Sequence, residues 1–434
     1  MITLEQIREA GDLRGEGRFR KTLLHFPASL NRRIGCPSPL YLKLELLQRT
    51  GSFKVRGATA KVLSLSEAER AKGIIAASAG NHAQGVALAA ASVGARARIV
   101  MPEYAPLTKR EATTGYGAEV ILSGATFDEA CAHAQDLHRA EGGTFVHAFD
   151  DEMIMVGQGT IGLEILEDLP DVGTVICPVG GGGLISGVAV ALKSIRPEIK
   201  VVGVQAEGAS SAALSFRAGR RVESPCSRTI ADGINVGRVG ERCFEVISRW
   251  VDEMLTVDDA AICRAMLLLD EHAHISAEPA GATALAALLE SSQPFPTPIV
   301  SIVSGGNLDT FDKTRYINRA LAVEKRHLPI RVRIEDRRGS KPRSMARLFS
   351  LIAENDLNVL DIAYRRDTAG LPLGQVEVEL LLETRGLDDA SGLLRSLAHA
   401  GWEHLFGAKH FEGQNGDGGR HSVAPPTLSP APRI

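Results

Sequence analysis

The sequence predicts an α/β protein built on parallel sheets, followed by a small α+β domain of ferredoxin-like order. From about residue 20 to 310, short β-like runs alternate with alanine-rich or amphipathic helical stretches. That alternation is the mark of strands covered by helices on both faces. From about 326 to 407 the order changes to strand, helix, strand, strand, helix, strand. With 434 residues the chain is long enough for two or three domains with sizeable cores.

In chain order, Arg98–Met101, Glu119–Leu122, Thr174–Cys177 and Val201–Val204 read as strands. His82 to Ser92 and Phe127 to Ala140 read as helices between them. Parallel sheets of this kind bind ligands at the carboxyl ends of their strands, and the glycine run at Gly180 sits at such an end. Farther on, Ile330–Ile334 alternates as a strand, and Met345, Leu348, Phe349 and Ile352 recur at helical spacing. Val376, Val378, Leu380 and Leu382 form one face of another strand, and a second helix spans about Asp388 to His399. After Gly407 the composition turns to Gly, Pro, Ser and Asn, so residues 408–434 are expected to be a disordered tail.

Bulk composition narrows the function classes. Hydrophobic residues at 44% and charged residues at 23% suit a globular enzyme. A net charge of -3 and 5% aromatics give no case for nucleic acid or an anionic membrane. No basic-then-apolar leader and no run of about 18 apolar residues is visible, so the expected location is cytoplasmic. Six scattered cysteines without CxxC spacing fit a reduced compartment and offer no structural zinc site.

Four stretches carry candidate chemistry. In Ser52-Phe53-Lys54-Val55-Arg56-Gly57, Lys54 stands between two apolar residues after a turn signal. Desolvation would favour its neutral amine, which can form a Schiff base with an aldehyde; alone, the residue also reads as an ordinary exposed lysine. Gly180-Gly181-Gly182-Gly183-Leu184 joins a strand to a helix, where backbone N–H groups favour a phosphate dianion. A GxGxxG reading fails there for want of a third glycine, and a P-loop reading fails because Leu184 stands where lysine is needed. Ser78-Ala79-Gly80-Asn81-His82 is a polar turn at a helix entry, suited either to a carboxylate or to a plain N-cap from Ser78 or Asn81. Ser304-Gly305-Gly306-Asn307 follows the strand-like run Ile299–Val303 and offers a hydroxyl that could face a ring nitrogen.

Taken together, these stretches resemble the fold-type II (tryptophan synthase β-like) pyridoxal-phosphate enzymes, and most closely the threonine dehydratase (threonine ammonia-lyase) family. Tyr41–Glu45, Gly157–Glu164, Ala231-Asp232-Gly233 and Glu278–Ala282 extend the likeness over roughly residues 1 to 325. The resemblance implies a two-lobed catalytic part over 1–325, with a smaller lobe at about 50–150. It implies an ACT-like regulatory domain over 326–407, open to an amino-acid effector, and a homo-dimer or homo-tetramer. Pyridoxal 5'-phosphate is the implied cofactor. Lys54 would bear it as a Schiff base and act as the catalytic residue, beside Phe53. Asn81 would contact its ring oxygen, Gly180 to Leu184 its phosphate, and Ser304 its ring nitrogen, with Glu278 nearby. Ser78, Ala79, Gly80, Asn81 and His82 would surround the substrate carboxylate.

The implied reaction is dehydration and deamination of L-threonine to 2-oxobutanoate and ammonia, with L-serine as a secondary substrate. A lyase for 3-hydroxyaspartate or phenylserine, and an amino-acid sensor acting through the 326–407 domain, stand as alternatives. Two departures separate subfamilies. Ala79 stands where the similar racemases carry a second serine, which disfavours racemisation. Ala213 stands six residues after Glu207, where metal-binding members carry a second carboxylate, so no metal is expected. Leu46, Lys21-Thr22 and the Asp336–Gly339 and Ser340–Arg343 stretches also depart from the family pattern.

Overall fold

A computed structural model describes residues 1–35, 39–224, 229–335, 344–366, 371–385 and 387–406. The chain divides into two compact units, Met1–Tyr316 and Ile317–Ile434. The expected tail at 408–434 and the altered stretches at 336–343 lie outside the described residues.

Two sheets organise the first unit. One has four parallel strands in the order Glu119–Leu122, Ala97–Met101, Ile74–Ala77 and Thr144–Phe145. The other has six, in the order Leu24–His25, Leu40–Leu44, Ile299–Val303, Thr174–Pro178, Lys200–Ala206 and Glu253–Val257. All of its neighbours run parallel except Leu24–His25, which lies antiparallel on Leu40–Leu44 at the edge. Every residue of Ala97–Met101, Thr174–Pro178 and Ile299–Val303 is buried. Burial at every position, with Arg98, Thr174 and Ser301 the polar residues among them, is what a sheet covered by helices on both faces produces.

Strand boundaries differ from the sequence reading by one or two residues. The Val201–Val204 run extends to Lys200–Ala206, and the Ala97 strand begins one residue earlier than Arg98. Three of the four chemical stretches fall at carboxyl ends of parallel strands: Ser78 after Ile74–Ala77, Gly180 after Thr174–Pro178 and Ser304 after Ile299–Val303. The fourth opens the helix Lys54–Ser64.

The second unit has an antiparallel sheet in the order Asn358–Arg365, Gln375–Glu383, His327–Glu335 and His404–Phe406. With the helices Ser344–Glu354 and Leu387–His399 this is the ferredoxin-like order. Leu348, Leu351, Ile352, Leu393 and Leu397 pack on Leu328, Ile330, Val332, Val378 and Leu380. Phe349, expected on the apolar face, is 41% exposed, and Leu351 takes its place inside. The two positions lie two residues apart, about 200° around a helix, so they fall on nearly opposite faces and Leu351 is the one that joins Leu348 and Ile352 inside. The other sheet face carries cross-strand ion pairs, Arg331 and Arg365 to Glu379, each at 3.0 Å.

Candidate active site

A cleft of about 1330 Å³ in the first unit is lined by residues from all four chemical stretches. Phe53, Lys54, the whole Ser78–His82 turn, Gly180–Leu184, Glu278, Ser304 and Asn307 meet there. Residues up to more than two hundred positions apart in sequence thus share one cavity, because parallel strands all end on the same side.

Lys54 is the first residue of its helix, with Phe53 before it as N-cap. Its side chain is half-buried, and Nζ donates to the carbonyl of Ala148 at 2.9 Å. The same Nζ lies 5.2 Å from the centre of the Phe53 ring. Among the described residues no carboxylate lies within ion-pair distance of it. Desolvation therefore dominates and lowers the Lys54 pKa to about 8, against weaker opposing pulls from Cys243 and Glu278.

The Ser78–His82 turn leaves a helix start open. Gly80 is the N-cap of Asn81–Ala91, and no side chain caps that helix. Ser78 Oγ instead accepts from the Gly80 N–H at 3.1 Å, so the N-cap alternative from sequence is not what forms. Asn81 is fixed from two sides: Nδ2 donates to Glu278 Oε1, and Oδ1 accepts from Asn307 Nδ2, both at 2.7 Å. An amide Nδ2 carries a second N–H, which remains to be offered. Glu278 is buried, and desolvation raises its pKa to about 7 despite the Asn81 hydrogen bond. A Cβ on Gly305 would stand 2.3 Å from Glu278 Oε1, so the Ser304-Gly305-Gly306-Asn307 and Glu278–Ala282 stretches lock through a missing side chain.

His82 is buried and neutral. Its Nε2 meets the Val146 carbonyl at 3.0 Å, so Nε2 bears the proton, while Nδ1 is buried without a partner. Burial, reinforced by Lys54, pushes its pKa down to about 3.

The glycine run opens the helix Gly183–Ile195, whose N-terminus also has no side-chain cap. Gly182 takes φ +102°, a conformation that favours glycine. A Cβ on Gly181 would fall 2.3 Å from the Phe149 ring, so the loop packs against protein on that side. Ala79 and Leu184 line the same cavity.

One connector missed in the sequence reading, Val146 to Asp151, ties these parts together. Val146 and Ala148 supply the carbonyls for His82 and Lys54. Phe149 backs Gly181, and its carbonyl accepts from Cys243 Sγ at 3.4 Å. Asp150 accepts from the N–H groups of Glu241 and Cys243, and Asp151 caps the helix Glu152–Asp168. The connector lacks a glycine run or repeated spacing, so no sequence signal marked it.

A second cluster accounts for family-like stretches to which sequence gave no role. Arg56 Nε and Nη2 donate to Glu45, and Nη1 and Nη2 donate to Glu164, all at 2.8 to 2.9 Å. Lys43 joins Glu164 at 2.7 Å, and Thr160 accepts from Arg56 Nη1. Arg56 is fully buried; desolvation opposes its charge, but the two carboxylates outweigh it and raise its pKa. Lys43 and Glu45 come from the Tyr41–Glu45 stretch, Thr160 and Glu164 from Gly157–Glu164.

Glu207 is exposed and Ala213 is buried in the apolar core. Among the described residues no three His, Cys, Asp or Glu side chains gather as a metal site would need. Cys131, Cys177 and Cys243 are free thiols. Among the described residues no helix is long and apolar enough to cross a membrane.

Two parallel sheets, a desolvated lysine and two uncapped helix starts facing one cleft define a pyridoxal-phosphate-dependent enzyme of fold type II. The family model for pyridoxal-phosphate-dependent enzymes matches residues 16–305, and the chain belongs to that family. In particular, it is 45% identical over 403 residues to an L-threonine ammonia-lyase of Thermotoga maritima, covering 93% of this chain and 99% of the relative. Among solved structures it resembles the processed form of threonine deaminase isoform 2 from Solanum lycopersicum, with a TM-score of 0.70 and 38% identity over 74% of this chain and 90% of that one. A maize serine racemase matches with a TM-score of 0.68 and 35% identity over 75% of this chain and 99% of its own.

The donor set fits the cofactor. A phosphate dianion suits the uncapped N-terminus at Gly183, where free N–H groups and the helix dipole both favour negative charge. An aldehyde suits an amine whose pKa is about 8, because a usable fraction is unprotonated near neutrality.

Proposed function

We propose that this enzyme dehydrates and deaminates L-threonine to 2-oxobutanoate and ammonia, with L-serine to pyruvate as a secondary activity. The observation that carries the reading is Lys54 itself: an amine without a carboxylate partner, lowered to about 8, in a cleft shared with two open helix starts. The named relatives support the choice of substrate.

When bound, pyridoxal phosphate supplies an aldehyde for the amine and a conjugated ring that takes up the electron pair released at Cα. The residues supply the rest. Gly180 to Leu184 would hold the phosphate through backbone N–H groups. Ser78, Ala79, Gly80, Asn81 and His82 surround the substrate carboxylate, with the helix start at Asn81 favouring its charge. Asn81, steadied by Glu278 and Asn307, would offer its remaining N–H to the ring oxygen. Ser304, which lines the cleft, would offer the ring nitrogen a neutral hydroxyl, a weaker partner than a carboxylate. That choice favours elimination, in which a leaving group relieves the charge, over transamination. The neutral Lys54 amine removes the Cα proton as general base. The β-hydroxyl would depart as water, taking up one proton to balance the one that Lys54 removes from Cα, and the released enamine would tautomerise and hydrolyse with one water to 2-oxobutanoate and ammonia.

Ala79 lines the cleft and has no proton to give, which supports a lyase over a racemase. The outer lining carries Asp128, Glu223, Asp232, Asp309 and Asp312 against Lys109 and Arg238, and Arg238 already pairs with Glu223 at 3.0 Å. A substrate with a second carboxylate finds little attraction there.

The catalytic part is assigned to 1–325, with its smaller lobe at about 50–150, and an ACT-like regulatory domain with an amino-acid effector to 326–407. The ferredoxin-like order of the second unit supports that last assignment. We also assign a homo-dimer or homo-tetramer and a cytoplasmic location. The decisive test is 2-oxo acid release from L-threonine, L-serine, 3-hydroxyaspartate and phenylserine. Threonine should be fastest; a faster rate from either of the last two overturns the substrate assignment.

A further inference from the structure

We propose that His147 is a positioning residue for this site: its neutral imidazole folds the turn that aims Lys54 and backs the glycine loop. The inference rests on reading Lys54 as the cofactor-bearing lysine. His147 Nδ1 accepts the backbone N–H groups of Phe149 at 3.2 Å and Asp150 at 2.9 Å. A backbone N–H can only donate, so Nδ1 must carry a lone pair and the ring proton must sit on Nε2. The imidazole meets the Phe149 ring edge-on, with centroids 4.6 Å apart and planes at 87°.

Three parts of the site rest on that one turn. The Ala148 carbonyl, inside it, holds Lys54 Nζ at 2.9 Å. The Phe149 ring fills the space that any side chain at Gly181 would need. Asp150 accepts from Glu241 and Cys243 at the start of the helix Glu241–Trp250. A proton on Nδ1 would set three donors against one another at a single point, and the turn would open. The Ala148 carbonyl and the Phe149 ring would then shift together, because adjacent residues carry them.

The charges around His147 are mixed. Burial lowers its pKa; Asp150 and Asp151 oppose that, and Lys54 adds to it. His82, which interacts with His147, is itself held neutral by burial. The turn therefore survives below the usual histidine range and fails at more acid pH.

The test uses the full-length chain stripped of cofactor and retitrated with pyridoxal phosphate, read by the chromophore of the lysine-bound cofactor. His147→Ala removes the acceptor. His147→Asn puts an amide oxygen near the place of Nδ1 and does not titrate in this range. His147→Ala should weaken cofactor binding roughly tenfold or more, since two part-buried N–H groups lose their partner. His147→Asn should recover most of that affinity and lose the acid step that wild type shows in the same titration. Wild-type affinity in His147→Ala, equal weakness in both variants, or an unchanged acid step in His147→Asn overturns the proposal. If His147→Ala does not fold, the acid step in His147→Asn against wild type decides alone. A Lys54→Ala control keeps the readings apart: a chromophore that persists there means the Lys54 assignment has failed, not the role of His147.

Discussion

Lys54 and Arg56 stand two residues apart in the first turn of one helix, yet the protein treats their charges in opposite ways. Arg56 points into a buried cluster where Glu45 and Glu164 each give it close hydrogen bonds. Lys54 points into the cleft, where its polar partner is the Ala148 carbonyl. Burial penalises both cations. The two carboxylates overcome that penalty at Arg56 and raise its pKa, whereas at Lys54 nothing does, and the pKa falls to about 8. Counter-charge, not burial, decides whether a buried cation serves as a fixed strut or as a reactive amine.

Breaking each side of the pair should therefore have opposite consequences. Lys54→Ala should cut turnover by about 10⁴-fold, the upper end of what a positioned base contributes. Its folding stability should rise at neutral pH, by roughly 2 kcal/mol, because the burial penalty behind a pKa lowered from 10.5 to about 8 outweighs the one hydrogen bond lost. Steady-state 2-oxo acid release and chemical denaturation separate the two effects, and retained turnover would remove Lys54 from the mechanism. Arg56→Met should do the reverse at first order. It leaves Glu45 and Glu164 buried with a cation missing, a loss of about 3–5 kcal/mol. A midpoint close to wild type in denaturant would show that the cluster does not behave as a buried ion pair.

The smallest effect sharpens the comparison through pH. Glu278 has a pKa raised to about 7, so between its ordinary value near 4.5 and 7 the folded protein holds more protons than the unfolded chain. Its contribution to stability thus falls as pH rises through that window. His82 has the opposite sign: its pKa is lowered to about 3, so its contribution falls as pH drops from about 6.5 toward 3. Glu278→Gln should remove the first slope and keep the second. In cofactor-free protein the stability of the variant relative to wild type should climb between about pH 4.5 and 7, by on the order of 2 kcal/mol. A constant difference across that window, measured by urea unfolding, would mean that Glu278 is ionised throughout.

The fold was largely legible because its signals are local. Apolar-rich strands such as Ile299–Val303, broken only by Ser301, and the alanine-rich helix at Asn81–Ala91 announce a covered parallel sheet. The change to alternating strands after 326 announces the ferredoxin-like order. Where the reading slipped, at Phe349, local spacing sets both it and Leu351 beside Leu348 and Ile352, and only the packed core shows that Leu351, two positions on, is the one inside.

The candidate site divides along the same line. The lysine between apolar neighbours, the glycine run after a strand and the polar helix entries are chemical signatures that a chain carries in consecutive residues, so sequence alone determined which groups could hold a phosphate, an aldehyde and a carboxylate. Tertiary structure decided which of those groups face one another and what charge each carries. Asn81 meets Glu278 across 197 positions, and Lys54 meets Ala148 across 94. No local pattern encodes such pairs. The pKa of Lys54 follows from the carboxylates that folding withholds from it and gives to Arg56; a desolvation energy exists only once the chain has closed around the group.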